Sequence, residues 1–212
     1  DLKREERIGI GEAILCEQKS IDQIGRILAQ AADAEMPLLL TRLDESKYNG
    51  LPQVSRDKLH YDGPSATAFF NRSSMAPGLP GQVAVVAAGT SDAGPSGEAV
   101  RTLAFNGIAA TVVMDVGVAG LWRLTERLGE IRKHKVVIVV AGMDAALASV
   151  LGGLIAKPLI AVPTSTGYGA ARNGETALAA CLASCAPGVT VCNIDNGYGA
   201  ACAAMRILNS YD

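Results

Sequence analysis

Large rings are scarce in this 212-residue chain: aromatics make up 4%, with one Trp, three Phe and five Tyr. An all-β sandwich draws on Tyr, Trp and Thr to cover its pleated faces, so that class is disfavoured. Charge is scarce too. Lys and Arg number 19 against 21 Asp and Glu, no basic run occurs and the pI is near 5.7, so no nucleic-acid partner is expected. Only two His are present, His60 and His134, neither beside an expected strand end. A Cys181–Cys185 metal pair therefore lacks further ligands, and no metal-ligand set is expected. The five Cys are odd in number and form no C-x-x-C, and Asp1-Leu2-Lys3-Arg4-Glu5-Glu6-Arg7 is too charged for a secretory leader. Reduced thiols in the cytoplasm are the expectation. The chain starts at Asp1 rather than Met, and a natural start further upstream is expected. The longest apolar stretch, Val136–Ala156, carries Asp144 and is interrupted by Gly142, Gly152 and Gly153. It reads as a strand and a packed helix, so no membrane span is expected.

Against these absences stand 34 Ala and 23 Gly. So many small residues predict close backbone approach, helix on sheet or subunit on subunit. The mean hydropathy of +0.24 predicts apolar surface buried in a homo-oligomer. In the first part of the chain, Ile21, Ile24, Ile27, Leu28 and Ala31 recur at helical spacing over Ser20–Ala34, with Ser20 as N-cap. Pro37–Arg42 reads as a strand and Tyr48–Gly63 as irregular, while Met75–Gly81 reads as a Pro/Gly linker. From Val83 the pattern turns regular. Apolar runs at Val83–Ala88, Ala110–Val116, Val136–Ala141, Leu159–Val162 and Val189–Cys192 alternate with helical stretches at Ser96–Phe105, Gly120–Lys133, Ala145–Ile155, Glu175–Ser184 and Ala200–Asn209. Strands that are apolar throughout belong to a parallel sheet covered on both faces. The expected fold class is α/β: a flavodoxin-like three-layer domain with a five-stranded parallel sheet (residues 79–212), preceded by a small α+β domain (residues 1–78).

Ligands of such sheets bind beyond the carboxyl ends of the strands. The residues expected there are Gly89-Thr90-Ser91-Asp92, Asp115-Val116-Gly117, Gly142-Met143-Asp144, Pro163-Thr164-Ser165-Thr166-Gly167-Tyr168-Gly169 and Asn193-Ile194-Asp195-Asn196-Gly197-Tyr198-Gly199. Each alone is an ordinary turn, since such turns need Gly for positive φ and Ser, Thr or Asp as caps. Five such ends carrying Asp92, Asp115, Asp144 and Asp195 on one rim favour a site. No P-loop and no G-x-G-x-x-G is present. Gly89–Asp92 opening a helix is still a reasonable phosphate cradle. Among the thiols, Cys181, Cys192 and Cys202 read as small core residues, Cys16 is left open, and Cys185 lies in a turn leaving a helix.

Those stretches carry a resemblance. Val136–Gly169 (VVIVVAGMDAALASVLGGLIAKPLIAVPTSTGYG), Ser184–Ala201 (SCAPGVTVCNIDNGYGAA) and Ala87–Gly94 (AAGTSDAG) resemble the LarB family of nickel-pincer nucleotide biosynthesis, relatives of the purine carboxylase PurE. The amino-terminal Arg7-x-Gly9-x-x-Glu12, then Lys19 and Thr41-Arg42, extend the match over nearly the whole chain. The resemblance implies a pyridinium-3,5-biscarboxylic acid mononucleotide synthase activity. It carboxylates the pyridinium ring of nicotinic acid adenine dinucleotide at C5 and cleaves the phosphoanhydride, releasing AMP. An electron-poor pyridinium does not attack CO2, but a thiolate adduct turns it into an enamine-like dihydropyridine that does. Cys185 matches the family's nucleophile, and Asp144 stands where the family has the Glu of its A-G-M-E motif, as the base for the ring proton.

Gly89, Thr90, Ser91, Asp92, Asp115, Gly117, Thr164, Ser165, Gly167, Asp195 and Asn196 are the expected substrate-binding residues on the rim. Arg7, Lys19 and Arg42 are the expected cations for the substrate's carboxylate or phosphates. The resemblance further implies no tightly bound organic cofactor, CO2 or bicarbonate as co-substrate, and a homo-octamer. It leaves Mg²⁺ at the phosphoanhydride open, with Asp92, Asp115, Asp144 and Asp195 as available oxygen ligands. The Ala-rich last helix, Ala200–Met205, is the expected subunit contact.

The chain also departs from the family. Asp144 is one methylene shorter than Glu, retracting the base by about 1.5 Å. Trp122 stands where the family commonly has His, and Gly11, Cys16 and Gln18 replace Pro, Gly and Gly. Two alternatives follow: a paralogue carboxylating or binding another nucleotide, such as aminoimidazole ribonucleotide, and a non-catalytic nucleotide-binding regulator. Asp115–Arg123 contains no His of the kind aminoimidazole carboxylases use.

Overall fold

A computed structural model describes residues 4–72 and 79–210. The expected linker at Met75–Gly81 lies mostly outside the described residues. The chain divides into two units, residues 1–76 with 105–107, and residues 77–104 with 108–212.

The first unit holds α1 (Arg4–Ile8), β1 (Ala13–Leu15), α2 (Ile21–Asp33), β2 (Leu38–Thr41), α3 (Glu45–Gly50), α4 (Gln53–Arg56), β3 (Leu59–Asp62) and β4 (Thr67–Phe70). Its four strands lie in the order β1-β2-β4-β3, with β1 parallel to β2 and the other pairs antiparallel. Helix α2 starts where Ser20 predicts. The Ser20 hydroxyl accepts from Gln23 N at 3.2 Å while the Gln23 side chain accepts from Ser20 N at 2.9 Å. Ile24, Leu28 and Ala31 form its buried stripe. The stretch Tyr48–Gly63, expected to be irregular, instead contains α4 and β3. Strand β3 lies at the sheet's edge and buries only Leu59, so it carries no apolar run to betray it.

The second unit is β5 (Leu79–Ala87), α5 (Ala93–Phe105), β6 (Ile108–Val113), α6 (Leu121–Ile131), β7 (Val136–Ala141), α7 (Ala146–Leu154), β8 (Leu159–Pro163), α8 (Glu175–Leu182), β9 (Val189–Val191) and α9 (Gly197–Leu208). All five strands are parallel, in the order β6-β5-β7-β8-β9. This is the flavodoxin-like order, reversing direction between β5 and β7. Every residue of β7 and β8 is buried, as expected for strands covered on both faces. Leu124 and Ile131 of α6, Leu147, Ala148 and Leu151 of α7, and Ala177 and Cys181 of α8 share one core with these strands.

On the other face α9 packs against β7 and β8. Ala200, Ala201, Ala204 and Met205 are buried within the unit itself, while Cys202 and Ala203 on the outer side of α9 are only partly buried. Small side chains are needed there because α9 also meets α5: a Cβ on Gly197 would fall 2.1 Å from Pro95 O. Cys192, expected inside the last strand, follows it.

Candidate active site at the carboxyl edge of the parallel sheet

Helix α5 begins earlier than its apolar pattern implies, because Thr90–Asp92 forms a 3-10 turn that runs straight into it. The Asp92 carboxylate closes this turn by accepting from Gly89 N at 3.0 Å. Its other oxygen accepts from Thr164 Oγ1 at 2.7 Å, so the buried charge joins the loops after β5 and β8. Thr166 adds two links, its hydroxyl donating to Ser91 O at 3.3 Å and its carbonyl accepting from Met143 N at 2.9 Å. Gly142 is enclosed by the same residues. A Cβ there would lie 2.5 Å from Thr166 O and 2.6 Å from Thr164 Oγ1. Beyond β9, Asp195 accepts from Ser165 N at 2.9 Å and Asn196 caps α9 by accepting from Gly199 N at 2.7 Å.

The loop after β6 approaches from the opposite side. Gly117 N donates to Ala88 O at 2.8 Å, and a Cβ on Gly117 would sit only 2.8 Å from that oxygen. Asp115, in the same loop, pairs with Arg123 Nη1. Asp144 is exposed just before α7, its Oδ1 accepting from Ala146 N at 3.3 Å. Gly89, Thr90, Ser91, Asp92, Asp115, Gly117, Asp144, Thr164, Ser165, Gly167, Asp195 and Asn196 thus all follow carboxyl ends of the sheet. Thr166, the residue that ties three of these loops together, was expected on the rim with its loop but not among the substrate-binding residues; a hydroxyl's backbone partner leaves no mark in a sequence.

The edge is strained. Asp115, Met143, Ala145 and Asp195 have φ of 59°, 62°, 50° and 55°, in the left-handed region that disfavours side chains. Its carboxylates are engaged apart, Asp92 with Gly89 and Thr164, Asp115 with Arg123 and Asp195 with Ser165. The described residues contain no group of three or more His, Cys, Asp or Glu able to hold a metal ion. The donor set does not fit a cation held by the protein alone.

Cys185 lies elsewhere. It sits between α8 and β9, on a connection that enters the sheet rather than leaving it. Ser184 Oγ is 2.8 Å from Ser149 Oγ, and a Cβ on Gly152 would lie 2.7 Å from Ala186 Cβ. At ~1.5 Å of rise per residue, the Cys185 loop flanks α7 about 5–9 Å along the axis from its start. Asp144 lies at that start, so within one chain the structure does not bring Cys185 and Asp144 onto the same rim. Cys185 is exposed, while Cys16 and Cys181 are buried. Burial pushes the Cys16 thiol up to about 12 and raises Cys181 and Cys192 as well.

The expected cations belong to the first unit. Arg7 is on α1, Arg42 follows β2 with φ 54°, and Lys19 precedes α2. Lys19 and Glu12 line a groove of about 670 Å³ between β1 and α2 within that unit. No helix among the described residues is long and apolar enough to cross a membrane.

Comparison with known proteins adds a family. Residues 82–212 match the family model described as AIR carboxylase, and residues 1–72 match the model described as LarB/PurE-like N-terminal domain. An uncharacterised protein of Methanocaldococcus jannaschii is 34% identical over 206 residues, spanning 94% of this chain and 79% of that protein. Among solved structures, a variant of Treponema denticola PurE2 aligns with a TM-score of 0.52 at 21% identity, over 62% of this chain and 81% of that one. That likeness speaks for the fold alone.

Proposed function

The chain belongs to the AIR carboxylase family, with a LarB/PurE-like amino-terminal domain, and from this premise of a carboxylase-type enzyme we propose that it carboxylates the pyridinium ring of nicotinic acid adenine dinucleotide. The observation that carries the reading is the pairing, across the β5/β7 reversal, of the Gly89–Asp92 turn with the exposed carboxylate of Asp144. The turn opens a 13-residue helix, whose dipole favours a phosphate. A ring held by that phosphate needs a base, the role this reading gives to Asp144.

In the proposed cycle the Cys185 thiolate adds to the pyridinium beside the target carbon, forming a C–S bond and a neutral dihydropyridine. The enamine carbon then attacks CO2, forming the new C–C bond. Asp144 takes the proton from that carbon, the C–S electron pair leaves with sulfur, and the aromatic ring is restored. Water cleaves the phosphoanhydride to give AMP and the dicarboxylated mononucleotide. Because the Cys185 loop flanks the middle of α7 while Asp144 lies at its start, this reading takes the adduct sulfur and the base for one ring from different copies of the chain. Such sharing would require a homo-oligomer, in keeping with the octamer that the family resemblance implies. Arg7, Lys19 and Arg42 remain the proposed cations for the substrate's carboxylate and phosphates. No metal is assigned to the protein; a Mg²⁺ would arrive with the phosphates.

Incubation with the dinucleotide and ¹³C-bicarbonate, followed by mass spectrometry, tests the reading. A mononucleotide one labelled carboxylate heavier, together with AMP, is expected. Dinucleotide bound but returned unchanged would favour a regulator, and labelling of aminoimidazole ribonucleotide instead would favour the azole carboxylase reading.

A further inference from the structure

The second unit exposes eight large apolar side chains among its described residues, and they are not scattered. Val118, Leu121, Trp122, Met143 and Tyr168 all follow the carboxyl ends of β6, β7 and β8, while Val112, Leu154 and Leu182 lie elsewhere. Trp122 is 63% exposed and is the only tryptophan in the chain. An exposed indole on the rim that carries Asp144 requires an account beyond packing.

We propose that Trp122 is a specificity-determining residue whose indole face stacks on the cationic pyridinium ring of the substrate, an inference that rests on the function proposed above. The backbone places it for this. Gly117 lies against Ala88 O so closely that only glycine fits, which draws the loop after β6 over the end of β5. The 3-10 turn Val118–Gly120 then packs against α7, the helix whose start carries Asp144. Trp122 follows that turn in the first turn of α6, on the same side of the sheet as α7.

The chemistry fits a cation rather than a neutral ring. Indole presents the most negative π-face of any side chain, and a ring carrying formal charge gains from it beyond ordinary stacking. The adjacent Arg123 would repel such a ring or compete for the indole, but its guanidinium is engaged by Asp115 at 2.5 Å. The exposed Asp144 adds a negative charge on the same edge. Tyr168 is more exposed, at 84%, but it stands between Gly167 and Gly169, both at positive φ, whereas Trp122 is carried on a helix.

A single tryptophan makes the test direct. The full chain is titrated separately with nicotinic acid adenine dinucleotide, nicotinic acid mononucleotide and AMP, following tryptophan emission and heat in parallel. The dinucleotide and the mononucleotide are expected to quench most of the emission and to add a charge-transfer shoulder to the red of the tryptophan absorbance; AMP is expected to do neither. Trp122→Ala is expected to raise KM about tenfold, more than it lowers kcat, and Trp122→Phe to restore part of the loss. Calorimetric binding of the dinucleotide with unchanged emission overturns the stack while leaving the proposed function standing. Equal quenching by AMP overturns it in favour of an adenine site. A change of oligomeric state in Trp122→Ala, read by light scattering, overturns it in favour of a subunit contact. Absence of binding by either pyridinium compound overturns the substrate reading and the stack together.

Discussion

The hydroxyl of Thr164 donates to the buried carboxylate of Asp92 over 2.7 Å, tying the end of β8 to the turn that opens α5. Asp92→Ala leaves the partly buried Gly89 N and the buried Thr164 hydroxyl without this acceptor, and a fully buried orphan costs ~1–3 kcal/mol, a partly buried one less. We expect Asp92→Ala to lose about 2–4 kcal/mol in urea unfolding and Thr164→Val about 1 kcal/mol. A double mutant whose loss equals the sum of the two singles would show that the pair does not couple.

Gly142 tests the packing of the same edge. A methyl group there meets the carbonyl oxygen of Thr166, which cannot move without pulling Met143 N and Ser91 O with it. Gly142→Ala is expected to cost roughly 1–3 kcal/mol and to lower kcat/KM together with stability. Unchanged thermal unfolding and turnover would refute this account of the loop.

Cys16 gives the protein an alkaline weakness. Burial raises its thiol from 9.0 to about 12, so between those values the folded chain holds a proton that the unfolded chain has released. Its contribution is complete below pH 9 and is lost as pH rises toward 12, at up to ~1.4 kcal/mol per pH unit. Urea midpoints measured from pH 8 to 10.5 should fall less steeply for Cys16→Ala than for the parent. Parallel slopes would contradict the shift.

Thiol labelling separates Cys185 from the rest. It is the exposed cysteine, whereas burial raises Cys16, Cys181 and Cys192. Under native conditions at pH 8, a maleimide should modify Cys185 before any of those three, as read by peptide mass mapping. Cys185→Ser should retain dinucleotide binding and lose carboxylation by more than about 10³-fold, since an alcohol does not form the adduct.

The placement of Cys185 and Asp144 at different levels of α7 supports a mixing experiment. Cys185→Ser and Asp144→Asn are each expected to be inactive. Reassembled together from separated subunits, random pairing would leave about a quarter of sites intact if each site takes one residue from each of two copies. Failure of mixed assemblies to recover any turnover, with mixing verified, would require both groups to come from one chain.

Much of the second unit was legible because its strands announce themselves. VVIVVA at Val136–Ala141 can hardly be anything but a strand buried on both faces, and parallel strands put their carboxyl ends together. The rim residues therefore followed from topology alone. The first unit was harder: β3 and β4 pair across a turn at Asp62–Ser65, and the half-exposed β3 carries its signal in the partner strand. Cys185 was found by resemblance, and its place against the middle of α7 was invisible because it depends on Ser149 and Gly152, more than 30 positions away in sequence. The small residues of Ala200–Met205 are ambiguous in sequence for the opposite reason, since they serve a helix pressed on its own sheet, as Ala200, Ala201 and Ala204 do here, as well as one pressed on a neighbour.

The left-handed non-glycine residues of the rim set a direction for thermal adaptation. At Met143, φ is 62° and the side chain is half exposed, so the conformation is held by the neighbouring loops rather than by a buried contact of its own. Glycine at this position relieves on the order of 1–2 kcal/mol of backbone strain. The same is true in kind of Asp115 and Asp195, whose carboxylates are also employed. Selection for heat resistance alone would favour glycine at such positions; Asp and Met there mark the rim of this chain as a region that gives up ruggedness to hold particular side chains in place.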